Sequence, residues 1–470
     1  MTQKHPFITV SPQMRVVVMG LGRFGGGVGV SRWLCQQGCR VVVTDMEPAD
    51  KLADSVAQLA GTGCEFALGG HDTAILQHAE MLVVNPAVDK AKSDFVQAAI
   101  RQGVPITTEI NLFVQRCTAK IVGITGSVGK STTTAMICQA LTACLAGSPP
   151  RRCWMGGNIG HSLLADLPNI ASEDIVVLEL SSFMLEDTPA IGWSPHVAVV
   201  TNVVPNHLDR HGTLANYAAI KKNILRFQTR ADVAILNGED AAVSEWQSHA
   251  SGRTMVYRVC GSEKLHLLVP GDHNQSNAQA ALAVVKALGL SNKLPAAIAA
   301  LQTFAGLPHR LQLVHTDAVR PGHSIYWYND SKATTPAATL TALQAFPEKS
   351  FICIVGGYDK HLDLGELAAV LAKRAAGVLG IGATGQKIID LSAQTGLLPQ
   401  NRLVYTQTLA AAVQQARLWL HSPDPFFADV KNVVLSPACA SYDQFPNYEK
   451  RGDIFTTLAK QRDLSDAEKI

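Results

Sequence analysis

The stretch KIVGITGSVGKSTTT sets Gly126, Gly129, Lys130 and Ser131 in the order glycine, two residues, glycine, lysine, serine, after an apolar run and before an Ala- and Leu-rich segment. Successive backbone N–H groups in such a turn cradle an anion, and a following helix adds about half a positive charge at its amino end. The lysine reaches outer phosphates and a hydroxyl can ligate Mg²⁺. ATP or GTP with magnesium is therefore the working ligand, although Ile124 stands where the common GxxxxGK spelling has its first glycine. Further on, IVVLELSSF ends in Glu179 and Ser181, and a carboxylate at that edge is a hard donor suited to Mg²⁺. The run VAVVTN leads into VVPNHLDRHG, with His207, Asp209 and Arg210, then Tyr217 and Lys221 at helical spacing. Taken singly, His207 reads as a surface histidine, and Lys221 and its neighbour Lys222 as helix-surface lysines.

A second glycine-rich turn follows RVVVMG: Gly20, Gly22 and Gly25 form GxGxxG, and Asp45 ends the next apolar run where a dinucleotide fold places its ribose acid. Alone this is a weak signal for a nicotinamide cofactor, and the phosphate loop argues against one. Gly26, Gly27 and Gly29 fall where a helix should begin, each costing roughly 1 kcal/mol relative to alanine. Something must pack closely there.

These groups have to be delivered by regular elements. Strands are expected from Arg15, Arg40, Met81, Lys120, Ile175, Val197, Phe351 and Asn432, each followed by a small residue and a helical segment. Their hydrophobicity is continuous, as in strands covered on both faces, so the expected class is α/β with parallel-rich sheets. Three blocks are expected: 1–116 and 307–470 as Rossmann-like domains, with a phosphate-loop domain at 117–306 between them.

A length of 470 residues gives a soft prior of about three domains. With 47% hydrophobic and 17% charged residues the chain folds, and a formal charge of +2 advertises no nucleic acid. Ten cysteines without a CxxC pair argue against a disulfide framework or zinc site. No signal peptide and no apolar stretch of about 18 residues is seen, so a cytoplasmic protein without membrane insertion is expected.

Together the segments resemble the Mur ligases, the ATP-dependent amino acid ligases of peptidoglycan synthesis. The resemblance rests on GLGRFG with Asp45, ITGSVGKST, GGNIG, LELSSF, NHLDR followed by YxxxK, GDHNxxN, GLPHR, YNDSKAT, GGYDK and LSPACASYDQFPNYEKRG, over essentially the whole chain. It implies D-glutamate addition to UDP-N-acetylmuramoyl-L-alanine through an acyl phosphate, by a monomer. A relative adding L-glutamate or another amino acid, a folylpolyglutamate-type ligase and a non-catalytic UDP-sugar or ATP sensor remain as alternatives.

Residue by residue, the resemblance implies that Gly22, Arg23, Phe24 and Asp45 meet the uridine diphosphate. Gly126, Ser127, Gly129, Lys130, Ser131 and Thr132 would hold ATP, with Asn274, Asn277, Arg310 and Asp330 as further nucleotide contacts. Ser131, Glu179, His207 and a carbamylated Lys221 would surround two magnesium ions, with Lys130, His207 and Lys221 catalytic. Asn158, Ser181 and Arg210 would contact the nucleotide-linked substrate, and Lys332, Thr334, Lys360, Ser441 and Tyr448 the incoming glutamate. Val128, Met184, Thr335 and Tyr448 depart from the family spelling, and none removes a charge the chemistry requires. His309 is expected to shape a hinge and Cys439 to pack.

Overall fold

The computed structural model describes residues 7–22, 25–147, 151–259, 264–320 and 323–461, with the side chains of 319 and 320 left aside. Two compact units are present. One runs to Lys264 and takes in Ser276–Leu301; the other holds Leu265–Gln275 and the chain from Gln302 onward.

The first unit contains two parallel sheets. Strands β1 (Arg15–Met19), β2 (Arg40–Asp45), β3 (Glu65–Leu68), β4 (Met81–Val84) and β5 (Ile106–Thr107) pair in the order β3-β2-β1-β4-β5. Strands β6 (Lys120–Thr125), β7 (Cys153–Gly157), β8 (Ile175–Glu179), β9 (Val197–Val200), β10 (Val233–Asn237) and β11 (Arg253–Tyr257) pair as β11-β10-β9-β6-β8-β7. In this sheet β6 lies between β8 and β9, so the chain leaves it in opposite directions. A crevice at such a switch point, beyond the carboxyl ends of the strands, is where open α/β sheets bind ligands.

The second unit has one sheet: β12 (Gln312–Arg320), β13 (His323–Asn329), β14 (Phe351–Val355), β15 (Gly377–Ile381), β16 (Leu403–Gln407) and β17 (Asn432–Leu435), in the order β12-β13-β17-β14-β15-β16. Here β12 runs antiparallel to β13, and the pairs β13–β17, β17–β14, β14–β15 and β15–β16 are parallel. All eight strands read from the sequence are present, and the class is α/β.

Burial explains the continuous apolar runs. Val176, Val177 and Leu178 on β8 are inaccessible to solvent, each side chain worth about 1.5–3 kcal/mol. The glycines at the start of the helix Gly26–Gln36 are explained by close approach: a Cβ on Gly27 would come within 2.4 Å of the Gly20 and Leu21 carbonyl oxygens. On Gly29 it would meet the Ser162 Cβ at 2.5 Å. Among the described residues no helix is long and apolar enough to cross a membrane.

Candidate functional site

The phosphate loop sits at the carboxyl end of β6, and the helix Lys130–Leu145 starts directly after it. Gly126 leaves no room for a side chain, since a Cβ would fall 1.9 Å from Thr201 Oγ1. Gly129 caps the helix at φ +83, a conformation that glycine adopts without penalty. Asn202, at the end of the neighbouring strand, braces the loop: its Oδ1 accepts the Ser127 and Val128 N–H groups at 3.1 and 2.8 Å. Those two donors are thereby spent on the protein itself. The N–H groups of the first helical turn, Lys130 to Thr132, have no preceding turn to bond, which is the usual setting for an anion at a helix N-terminus. Lys130 Nζ donates to the carbonyls of Gly126 and Ser127, both at 3.0 Å. Thr133 Oγ1 donates to Asn277 Oδ1 at 2.9 Å and fastens the helix Asp272–Ala287 to this turn.

Lys221 overturns its reading as a surface lysine. It is 1% exposed, its Nζ donates to the Gly126 carbonyl at 2.8 Å, and the Tyr217 ring lies 4.5 Å away. Burial, reinforced by the Lys130 ammonium and opposed by Glu179, pulls its pKa from 10.5 down to about 7. Its neighbour Lys222 is only half-buried, over the Trp246 ring at 5.3 Å. The alternation is what a helix packed along one face produces.

Glu179 is 2% exposed at the end of β8. Asn158 Nδ2 donates to its Oε1 at 2.8 Å, and Oε2 is buried with no hydrogen-bond partner. An orphaned carboxylate oxygen costs desolvation free energy unless a cation reaches it. Among the described residues no three His, Cys, Asp or Glu side chains converge as a complete metal cage. Magnesium is commonly held by one or two protein carboxylates with substrate phosphates and water supplying the rest, so this donor set suits it. Ser131 lies half-buried in the second position of the phosphate-loop helix.

His207 is exposed, with φ +52, and opens the short helix Leu208–His211. Its ring packs on Phe183 with centroids 5.1 Å apart. Arg210 pairs with Asp89, in the loop after β4, at 3.1 Å and with Glu186, at the end of the helix Ser182–Leu185, at 2.9 Å. Ser181 caps the helix Ser182–Leu185, its hydroxyl accepting the Met184 N–H at 3.2 Å. At the first glycine turn Asp45 Oδ2 accepts the Gly22 N–H at 3.1 Å and Oδ1 accepts that of Glu47 at 3.0 Å. The carboxylate thus shapes the turn beside it. Arg23 and Phe24 lie outside the described residues.

In the second unit, Asp330 follows β13 and is 7% exposed. It accepts the Ser436 hydroxyl at 2.7 Å and the Leu311 N–H at 3.2 Å. Burial raises its pKa from 3.8 to about 7 against the opposing pull of those bonds and of Arg310. Arg310 is exposed, between His309 and Leu311, both at positive φ. Asn274 belongs to this unit and Asn277 to the other, so the partition falls within one helix. Asn274 Nδ2 donates to the Pro270 carbonyl at 2.7 Å.

Lys332 lies 5.3 Å over the Tyr448 ring, and Ser441 is 3% exposed. Thr334 and Lys360 line a small cavity with Thr384 and Cys439. Cys439 packs as expected, buried against the Thr384 hydroxyl. His309 sits edge-on to Tyr448, and its Nδ1 accepts from Asn329 Nδ2 at 3.1 Å.

One residue of this cluster escaped the sequence reading. Arg451 is 1% exposed, with burial opposing its charge and Asp443 the carboxylate that favours it through space. It donates instead to the Ser331 hydroxyl and carbonyl, both at 2.9 Å, and to the carbonyls of Cys439 and Ala440 at 3.0 and 3.2 Å. Two loops that carry the glutamate candidates are thereby clasped by one planar fork. Its signal in the sequence was an arginine inside NYEKRG, where a charged helix end looks ordinary.

The chain matches three family models in order: the MurD-like Mur ligase amino-terminal domain over residues 14–108, the Mur ligase middle domain over 124–260, and the Mur ligase glutamate ligase domain over 309–437. A UDP-N-acetylmuramoylalanine--D-glutamate ligase of Symbiobacterium thermophilum is 35% identical, covering 96% of this chain and 99% of its own. Enzymes of the same name from Pelotomaculum thermopropionicum and Psychrobacter arcticus are 34% and 35% identical, over 94% and 95% of this chain and 97% and 94% of their own. Among solved structures, MurF from Acinetobacter baumannii aligns with a TM-score of 0.55 at 18% identity, covering 94% of this chain and 93% of its own. That likeness speaks for the fold.

Proposed function

The chain belongs to the Mur ligase family, and from that premise we propose that it is an ATP-dependent ligase adding D-glutamate to UDP-N-acetylmuramoyl-L-alanine in peptidoglycan precursor synthesis, with release of ADP and phosphate. The observation that carries the reading is the convergence of Lys130 and Lys221 on the Gly126 carbonyl, at the head of a phosphate loop. Three domains divide the work: 1–116 takes the uridine diphosphate, 117–306 holds ATP and 307–470 receives glutamate. The enzyme acts as a cytoplasmic monomer, without nucleic acid or membrane insertion.

A carboxylate is a poor electrophile, so it has to be activated. One alanyl carboxylate oxygen attacks the γ-phosphorus, an O–P bond forms, the bond to the β-phosphate oxygen breaks and ADP leaves. The glutamate amine then attacks the carbonyl of the acyl phosphate; the C–O bond breaks, phosphate departs and the amine proton is lost. Two anions meet in the first step, so Lys130 turns from its loop carbonyls to the transferring phosphoryl group, and the N–H groups of Lys130 to Thr132 stabilise the outer oxygens. Asn277, held by Thr133, and Asn274, Arg310 and Asp330 are the further residues assigned to ATP on this reading.

Ser131, Glu179 through its unpartnered oxygen, His207 and Lys221 are the groups that would hold two magnesium ions. Bound magnesium supplies positive charge that eases the approach of one anion to another. Lys221 fits carbamylation because an amine with a pKa of about 7 is substantially neutral and nucleophilic at physiological pH. Attack of the neutral amine on carbon dioxide forms a C–N bond, opens one C=O π bond onto oxygen and releases one proton, leaving an anion where the protonated lysine is a cation.

Gly22, Arg23, Phe24, Asp45, Asn158, Ser181 and Arg210 serve the nucleotide-linked substrate. Lys332 and Lys360 offer countercharge to the glutamate carboxylates, with Thr334, Ser441 and Tyr448 beside them. Phosphate release measured with ATP, Mg²⁺, the muramoyl precursor and D-glutamate, L-glutamate or other amino acids in turn tests the reading. Turnover with D-glutamate alone is expected; equal turnover with another amino acid would refute the assignment.

A further inference from the structure

Two cysteines of the first sheet are unused by this chemistry. Cys35 lies in the last turn of the helix Gly26–Gln36, and Cys64 stands immediately before β3, an edge strand. Their Sγ atoms are 3.1 Å apart, closer than unbonded sulfurs rest in ordinary van der Waals contact. Both residues are half-buried, so a small oxidant can reach them while the surrounding chain holds the sulfurs together. Cys39, the next cysteine, is 8% exposed and its thiol points to the Ser11 carbonyl at 3.6 Å.

We propose that Cys35 and Cys64 are a reversible redox site, a dithiol that a hydroperoxide converts to a disulfide. Burial and the adjacent sulfur keep the proton on Cys35, with a pKa pushed up to about 12, so the first oxidation falls on Cys64. The Cys64 thiolate attacks one peroxide oxygen; an S–O bond forms, the O–O bond breaks and hydroxide leaves, giving a sulfenic acid. The Cys35 sulfur then attacks the Cys64 sulfur, the S–S bond forms, the S–O bond breaks and water leaves with the Cys35 proton. In sum two thiols and one hydrogen peroxide, with the proton first lost from Cys64, give one disulfide and two waters.

The required closing movement is small, from 3.1 Å to about 2.05 Å between sulfurs. The bond ties an edge strand of only four residues to a helix whose opposite end follows the Gly20–Gly25 turn. It lies at the far end of that helix, so it braces the sheet without entering the turn.

The full-length protein is treated with hydrogen peroxide, remaining thiols are alkylated and the chain is cut with trypsin. The expected product is WLCQQGCR joined to the single-cysteine peptide Leu52–Lys90, two hydrogens lighter than the sum, with the alkyl label on Cys39. Dithiothreitol should separate the pair. Cys35→Ser and Cys64→Ser should each abolish the cross-link, and Cys39→Ser should keep it. The thermal midpoint should rise on oxidation only in chains with both cysteines. Recovery of Cys64 alkylated, overoxidised or joined to Cys39 in the wild-type chain would overturn the proposal, as would a cross-link that survives Cys35→Ser.

Discussion

Asn158 binds one oxygen of Glu179 at 2.8 Å and thereby fixes the carboxylate with its other oxygen buried and unpartnered. The same economy recurs in the unit: Asp45 holds Gly22, Arg210 holds Asp89 and Glu186, and Lys130 holds the loop carbonyls. The groups assigned to ligands in the proposed function are kept in place by one another, and on that reading substrate binding exchanges these contacts for its own.

For Glu179→Gln, which retains shape and removes charge, kcat should fall on the order of 10²- to 10³-fold. Asn158→Ala keeps the charge and loosens its aim, so the magnesium concentration giving half-maximal rate should rise while the thermal midpoint changes little. Magnesium titrations of both variants check this. An unchanged magnesium requirement in both would remove Glu179 from the metal site.

Lys221→Arg should be inactive, because a guanidinium stays charged and cannot be carbamylated. The wild-type enzyme should lose activity in buffer stripped of carbon dioxide and recover it on adding bicarbonate. Steady rates across both conditions would argue against a carbamate.

Asp330 makes stability depend on pH. Its pKa is raised from 3.8 to about 7, so between those values the folded chain binds more protons than the unfolded one. Its contribution is full below about pH 4 and is lost as pH rises through about 7. Asp330→Asn should flatten that part of the profile, measured as denaturant midpoints from pH 4 to 8. A profile with the same slope would mean that Asp330 titrates normally.

Arg451→Met should destabilise the second unit by about 3 kcal/mol, since the buried Ser331 and Cys439 carbonyls lose their donor and the Ala440 carbonyl keeps only the Tyr358 N–H. Arg451→Lys keeps the charge without the fork and should fall between. In the folded fraction the KM for glutamate should rise more than that for ATP. Equal rises would make the clasp purely structural.

The sheets were legible because strands covered on both faces are uninterrupted apolar runs, as in β1, β6 and β8. Of the strands not read from the sequence, β3, β5 and β16 are short or partly exposed and carry mixed residues, whereas β10 and β15 are fully buried and were missed although their runs are apolar. Lys130 and Glu179 could be found because a loop spelling and a strand end announce them. The burial of Lys221 could not, since periodicity identifies a helix face but not what packs against it. Arg451 was hidden because its partners are backbone carbonyls, which leave no mark in side-chain spacing.

The most direct measurement follows heavy-isotope-labelled oxygen from the alanyl carboxylate of the muramoyl precursor during a single turnover with ATP and D-glutamate. One labelled oxygen should appear in the released phosphate, together with one ADP per amide formed, and Lys130→Ala should suppress both. Amide formed while all the label stays out of phosphate would contradict activation through a phosphorylated carboxylate.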